Sequence, residues 1–416
     1  MKRVLRKLKW LVVLASIILL CFINTCKADD ELEEYKNVIE KEEQKVIQET
    51  ANSETKPTIN SRRYVIYDRL SGKALYGKDE NKQTAMASTT KILTSLIIVE
   101  NCDLKESVTI DKKAAAVGGS RLGLKEGDKI TVNDLLYGLM LRSGNDAAVA
   151  LARYVAGSTD EFASLMNHKA KELGLKRSHF VTPHGLDNEK HYTTAYELAK
   201  LTDYALKNET IRKIVNTKVA SIKINGDTRE IRNTNELLGN VEGVYGVKTG
   251  FTNNAGRCLV TAVKRENLDL IIVVLGADTR KDRARDTVKL IEYACNKYEV
   301  LNVEEAVEKE FELWKQINQN RIYINKAENG IELEISEPKI KKVATDKNIK
   351  IEITAVTSLE APISRGTRIG TLIVKLGDEI LEEIDIKTSL DVKRRDIWDY
   401  LKIFAKIYSG KINIIN

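Results

Sequence analysis

Ser88-Thr-Thr-Lys91 leads directly into Ile92, Leu93, Leu96, Ile97, Ile98 and Val99, a run that is apolar nearly all round a helix. A helix with no wet face must lie inside a protein, with other elements packed on every side. That requirement demands a layered fold with a large core. At 416 residues the chain has room for two or three domains around such a centre.

The flanking segments supply the layers. Arg62 to Asp68 reads as a strand, Leu70-Ser-Gly72 as a turn, and Lys73 to Tyr76 as the returning strand. A mainly helical stretch extends from Ser88 to Ala205. Gly246 to Phe251, Arg257 to Val263 and Asp269 to Leu275 then read as a three-strand meander, with turns at Asn253 to Gly256 and Arg265 to Asn267. Arg280 to Tyr298 reads as a closing helix. The expected fold is α+β: early and late strands share one antiparallel sheet, helices cover both sides, and a helical insertion separates the strands. This domain is placed at 61–299.

From 300 to 388 the texture changes. Arg321 to Asn325, Ile331 to Ile335 and Ile349 to Ile353 alternate apolar and polar residues, and Ile380 to Ile386 does so less cleanly. This segment is expected to be a small all-β domain carrying no chemistry. Residues 389–416 turn helical again. Ile397, Leu401, Phe404 and Tyr408 fall on one stripe, with Trp398, Tyr400 and Ile407 beside it and lysines and arginines around the rest. A cationic helix with an aromatic face reads as an interfacial membrane anchor, the alternative being a helix docked on its own β domain.

The first residues address the chain for export. Lys2, Arg3, Arg6, Lys7 and Lys9 precede an apolar run from Trp10 to Ile23, and Cys26-Lys27-Ala28 offers small residues for cleavage. Residues 1–28 read as a signal peptide, with an uncleaved anchor as the alternative. Residues 29–60 are rich in Glu, Lys, Gln and Asn and read as a charged tether. The expected location is exported: the outer face of the membrane it crosses, or outside the cell. Cys102, Cys258 and Cys295 have no spacing that suits a disulfide framework or zinc, and read as buried thiols. His168, His179, His184 and His191 cluster in sequence but match no zinc pattern, so no metal and no cofactor is expected. The net charge of +7 is spread out, and no nucleic-acid partner is expected.

The chemistry lies in three motifs in one order: Ser88-Thr-Thr-Lys91, Ser143-Gly-Asn145 and Lys248-Thr-Gly250. A three-residue offset puts Ser88 and Lys91 on one helix face. Ser88 stands at the helix N-terminus, where developing negative charge is favoured. A lysine held in a dry place loses proton affinity, so Lys91 can take the proton of Ser88. The spacing alone is weak, since Ser53-Glu-Thr-Lys56 and Ser336-Glu-Pro-Lys339 also match, but only Ser88 opens an apolar helix. Gly144 marks a connector from which Ser143 can relay a proton and Asn145 can orient Lys91. Asp146 reads as a helix-start residue. Lys248 and Thr249 can hold a carboxylate, Gly250 allows close backbone approach, and the strand edge can pair with an extended peptide. The N–H groups of Ser88 and Phe251 can form an oxyanion hole.

These motifs, with Met86 to Leu93, Tyr137 to Ala147, Pro183-His-Gly-Leu186 and Val247 to Thr252 around them, closely resemble the serine-type D-alanyl-D-alanine carboxypeptidases, the low-molecular-mass penicillin-binding proteins. The resemblance implies a β-lactamase/transpeptidase-like fold and a Ser88 acyl-enzyme. It implies removal of the terminal D-alanine from a peptidoglycan stem pentapeptide, and acylation of the same serine by β-lactams. It also implies an arginine, in the loop after the last strand, that helps hold the terminal carboxylate. Arg283 is the match and Arg280 the alternate. Three rivals remain: an endopeptidase using the same site, a non-catalytic wall scaffold, and a β-lactamase. The last needs a Glu-x-x-x-Asn loop. Its sole match between Asn145 and Lys248, Glu236 to Asn240, lies too close to the Lys248 strand, so Glu236 reads as a surface residue.

Overall fold

The structure is a computed structural model that describes residues 56–409. The signal peptide and most of the tether lie outside the described residues. Two compact units divide between Lys297 and Tyr298.

The first unit opens with strands β1 (Arg63–Asp68) and β2 (Lys73–Lys78). A 3-10 turn, Ala87–Thr90, runs into helix α1 (Lys91–Asn101). The insertion continues with β3 (Ser107–Thr109), α2 (Lys112–Ala116), β4 (Lys129–Thr131), α3 (Val132–Leu141), α4 (Asn145–Ala156) and α5 (Thr159–Glu172). After an irregular stretch come α6 (Ala195–Ala205), α7 (Glu209–Val215) and the two-stranded ribbon β5 (Val219–Ile224) and β6 (Asp227–Arg232). The unit closes with β7 (Val244–Thr252), β8 (Gly256–Arg265), β9 (Leu268–Ala277) and α8 (Arg280–Lys297). The insertion is therefore less uniformly helical than its sequence implies, since β3 and β4 pair within it.

Five strands form one antiparallel sheet in the order β2-β1-β9-β8-β7. The early and late strands meet at β1 and β9, as the segregated strand pattern predicts. Successive side chains point to opposite faces of a sheet. Val65, Tyr67, Val260, Ala262, Ile271 and Val273 join the core that contains α1 and the insertion. Their neighbours Ile66, Leu259, Ile272 and Val274 are buried too, on the face where α8 packs. Both faces are covered, and these strands read as almost continuous apolar runs for that reason. Helix α1 is buried from Lys91 through Ile98. The β7 strand is the last in the sheet, with one side open to the site.

The second unit contains β10 (Glu299–Asn302), α9 (Val303–Asn318), β11 (Tyr323–Asn325), β12 (Leu333–Ile335), β13 (Lys342–Thr345), β14 (Ile349–Ala355), β15 (Ser358–Glu360), β16 (Arg368–Leu376) and β17 (Glu379–Thr388). Its main sheet has the order β12-β17-β16-β14, and β10 pairs with β13. The all-β expectation is corrected by α9. Val303, Val307 and Phe311 fall one turn apart and enter the core with Leu372, Val374, Ile384 and Ile386. The tail also starts its helix later than expected, at α10 (Ile397–Tyr408), where Asp396 and Asp399 form a capping box. None of the α10 residues is buried, and Trp398 and Phe404 are 66% and 69% exposed. The apolar stripe is not docked on the β domain. Among the described residues no helix is long and apolar enough to cross a membrane.

Candidate active site

Lys91 is the centre of the site. It is fully buried at the start of α1. Its Nζ donates to Ser88 Oγ at 2.8 Å, to Asn145 Oδ1 at 2.7 Å and to the His184 carbonyl at 2.9 Å. Three acceptors fix the amine in space. Burial holds its pKa well below the ordinary lysine value, and the nearby Lys248 charge pushes the same way, while Asp146 acts against both. The amine that the helical offset assigns to Ser88 is therefore dry and within one hydrogen bond of it.

The Ser88 turn and the connector that carries Ser143 are both held under strain. Ala87 has φ +49° and Ser143 has φ +59°, left-handed backbone that such residues rarely adopt. Loop 183–186 clamps the turn from one side. Thr94 Oγ1 donates to the Pro183 carbonyl at 2.6 Å, and the His184 carbonyl takes Lys91. A Cβ built on Gly185, at φ +85°, would stand 1.9 Å from the Ala87 oxygen, so only glycine lets this loop lie against the turn. Behind it His191 Nδ1 accepts from Val181 N at 2.9 Å, which leaves Nε2–H to donate to Thr90 Oγ1 at 2.8 Å. Thr90 Oγ1 in turn donates to the Ala87 carbonyl at 2.8 Å. Burial lowers the His191 pKa to about 4, and burial with the Lys91 charge lowers that of His184 to about 3. Both rings are neutral braces. Their sequence clustering reflects this loop, and among the described residues no His, Cys, Asp and Glu group could hold a metal.

The second motif sits on the α3–α4 connector. Asn145 Nδ2 donates to the Gly118 carbonyl at 2.7 Å while its Oδ1 takes Lys91, so the carboxamide is fixed at both ends. Asp146 does more than start α4. Its buried carboxylate accepts from the N–H groups of Leu122, Gly123 and Leu124 at 2.8, 2.7 and 3.1 Å, and anchors the loop that carries Gly118. Ser143 is almost wholly buried two residues before Asn145 and is not among the three acceptors of Lys91.

The third motif lies on β7. Gly250 passes so close to the turn that an added Cβ would lie 3.1 Å from Ser88 N and 3.2 Å from the Met86 oxygen. Lys248 is buried, and its Nζ donates to the Thr249 carbonyl at 3.0 Å. Burial, with a smaller contribution from the Arg283 charge, lowers its pKa to about 7. Thr249 Oγ1 shares a 2.8 Å hydrogen bond with Thr234 Oγ1. The Phe251 ring is 48% exposed at the lip, with the Arg257 guanidinium 3.7 Å over its centroid.

Two expectations need correction. Arg283 is not in a loop but in the first turn of α8, its N–H donating to the Thr279 carbonyl at 3.1 Å. It is buried and near Lys248, whereas Arg280 is exposed. Glu236 is not a surface residue: its side chain is 8% exposed and pairs with Arg283. A lone Glu in a polar loop carries no burial signal, and its partner lies 47 positions away.

The profile of the D-alanyl-D-alanine carboxypeptidases matches residues 50–279, and that of the penicillin-binding protein 5 C-terminal domain matches 317–394. The chain belongs to the D-alanyl-D-alanine carboxypeptidase family. It is a serine-type DD-carboxypeptidase with a penicillin-binding protein 5 type β domain. It is 38% identical to D-alanyl-D-alanine carboxypeptidase DacF of Bacillus subtilis over 81% of this chain and 87% of that one. It is 34% identical to DacD of Escherichia coli over 76% and 82%. Among solved structures, DacD of Francisella tularensis superimposes with a TM-score of 0.65 at 27% identity, over 82% of this chain and 96% of that one. The Streptomyces K15 DD-transpeptidase gives 0.55 at 36% identity, over 57% of this chain and 98% of that one.

Proposed function

We propose that Ser88 is the acylated nucleophile and Lys91 its base in removal of the terminal D-alanine from a peptidoglycan stem pentapeptide. The carrying observation is the three-way hold on Lys91 Nζ. A neutral amine keeps two N–H donors, which suffice for Asn145 and the His184 carbonyl, and turns its lone pair to the Ser88 hydroxyl. Ser88 Oγ attacks the carbonyl carbon of the D-Ala-D-Ala bond as its proton passes to Lys91. The C–N bond then breaks, and the leaving amine takes a proton relayed through Ser143. Water afterwards hydrolyses the ester and releases Ser88.

Binding follows from β7. The open strand edge pairs with the extended peptide. Lys248, Thr249 and Arg283 hold the terminal carboxylate, Gly250 keeps the strand close to Ser88, and the N–H groups of Ser88 and Phe251 receive the developing oxyanion. A penicillin presents a carboxylate and a strained amide in the same places and leaves a stable ester on Ser88. The exposed aromatic face of α10, with Lys402 and Lys406 on its flanks, suits the interface of an anionic membrane. The protein thereby works on the outer face of the cytoplasmic membrane, as a peripheral or secreted enzyme.

Mass spectrometry of the intact protein after penicillin treatment, with peptide mapping, tests this reading. One adduct on Ser88, absent from Ser88→Ala, is expected. Attachment at any other residue overturns the assignment.

A further inference from the structure

The wall that would receive the terminal carboxylate contains two buried cations, Lys248 and Arg283, and the charge of Arg283 disfavours protonated Lys248. Two like charges out of water repel strongly unless a counter-charge is present. Glu236 is that counter-charge. Its Oε1 accepts from Arg283 Nη2, and both side chains are shielded from solvent, at 8% and 4% exposure. Its other oxygen, Oε2, and Arg283 Nε are buried with no hydrogen-bond partner. A carboxylate left half satisfied in the interior is costly to the fold, and such groups persist where they do a job. The segment that carries Glu236 is tied to the wall itself, because Thr234 Oγ1 bonds Thr249 Oγ1.

We propose that Glu236 is a positioning residue of the carboxylate-binding wall: it holds Arg283 beside Lys248 and supplies the negative charge that lets the two cations share a dry pocket for an anionic substrate terminus. This rests on the reading of Lys248 and Arg283 given above.

Of the other carboxylates nearby, Asp146 is occupied by the Leu122, Gly123 and Leu124 N–H groups and Asp187 by Thr252 Oγ1 and Asn254 N, so the one paired with Arg283 is Glu236. Lys91 faces Lys248 from α1 and is itself a base held far below its usual range. On β8 the buried Cys258 thiol is raised to about 11 by burial and stays neutral through the working range. The His184 and His191 rings, at about 3 and 4, are neutral as well. Helix α7 presents Ile211, Ile214 and Val215 inward, with Arg212 and Lys213 exposed.

The test is the pH dependence of D-alanine release from a D-Ala-D-Ala-terminated peptide between pH 6 and 9, on the full chain. In Glu236→Gln the shape persists and the charge goes. Lys248 then faces an uncompensated Arg283 and gives up its proton sooner. The alkaline rise in KM is expected to move down by about one pH unit, so that KM increases over the wild type about ninefold at pH 8 and only about twofold at pH 6 while kcat holds. In the Glu236→Gln/Arg283→Gln double variant the limb is expected to return towards its wild-type position, a coupling that two independent changes would not give. Titration with a fluorescent penicillin counts correctly folded sites in each variant. A KM profile that superimposes on the wild type, or one scaled equally at every pH, overturns the role of Glu236. A failure of wild-type Lys248 to show any alkaline rise in KM, or of Ser88 to be acylated, overturns instead the reading of the wall on which it rests.

Discussion

The two units are stabilised by different means. The first buries Lys91, Asp146, Lys248, Arg283, Asp286 and Glu292, all ionisable, beside an extensive apolar core. In the second, among the described residues, the buried polar side chains are Thr345 and Thr388, around a purely aliphatic and aromatic core. Each charge taken from water costs several kcal/mol before its partners repay it. In the first unit Lys91, Asp146, Lys248 and Arg283 lie around the Ser88 turn and β7, while Asp286 accepts from Ser61 and Glu292 pairs with Arg265 away from them. The second carries none, and its charged residues form exposed pairs such as Lys350 with Glu352 and Lys341 with Glu304, which contribute little. Buried charge is thus concentrated in one unit of the chain, among the described residues.

Four measurements bear on that contrast. Leu372→Ala empties a fully buried position in the second core. It is expected to cost about 2–5 kcal/mol in denaturant unfolding of that unit while kcat on a peptide is unchanged. A matching fall in kcat would break the contrast. Gly185→Ala tests the opposite side: the new methyl would collide with the Ala87 carbonyl, and Ser88 must shift. Penicillin acylation should slow by about a hundredfold, as displacement of a reacting group by an ångström implies. An unaltered rate would free Ser88 from the loop. Phe404→Ser on α10 should weaken flotation with anionic vesicles by about 1.5–3 kcal/mol and leave D-alanine release intact. Equal flotation would remove the membrane role from the tail. The smallest effect is graded. Because burial lowers Lys248 to about 7, its ammonium is present below that pH and lost above it. KM for the peptide should then climb about tenfold per unit on the alkaline side, with kcat changing less. A flat KM from pH 6 to 9 would separate substrate binding from the charge on Lys248.

The sequence made the sheet and the three motifs legible for a shared physical reason. Runs such as Leu270 to Leu275 and, apart from Thr94 and Ser95, Ile92 to Ile98 are apolar because they are covered on all sides, and coverage leaves a mark in composition. The motif residues stand out because their types and spacing match one reaction. What stayed hidden depends on distant partners or on backbone shape. The left-handed φ at Ala87 and Ser143 falls on residues that do not advertise it. His184 and His191 invited a metal reading because their work, bracing a turn about a hundred positions away, leaves no local pattern. The β5–β6 ribbon has little buried surface on either strand and so no clear alternation. Helix α9 was readable: Val303, Val307 and Phe311 carry the period, but the strand-like runs around it set the expectation.

The position of β7 at the border of its sheet has one more consequence. A bare strand margin tempts other chains to stick, and soluble proteins usually blunt such margins. Here the Ser88 turn crowds the strand at Gly250, where an added Cβ would meet Ser88 N and the Met86 oxygen. The same obstruction that places Ser88 beside β7 therefore keeps the molecule from zipping to its neighbours. Damage that swings the turn aside should cost solubility and turnover together.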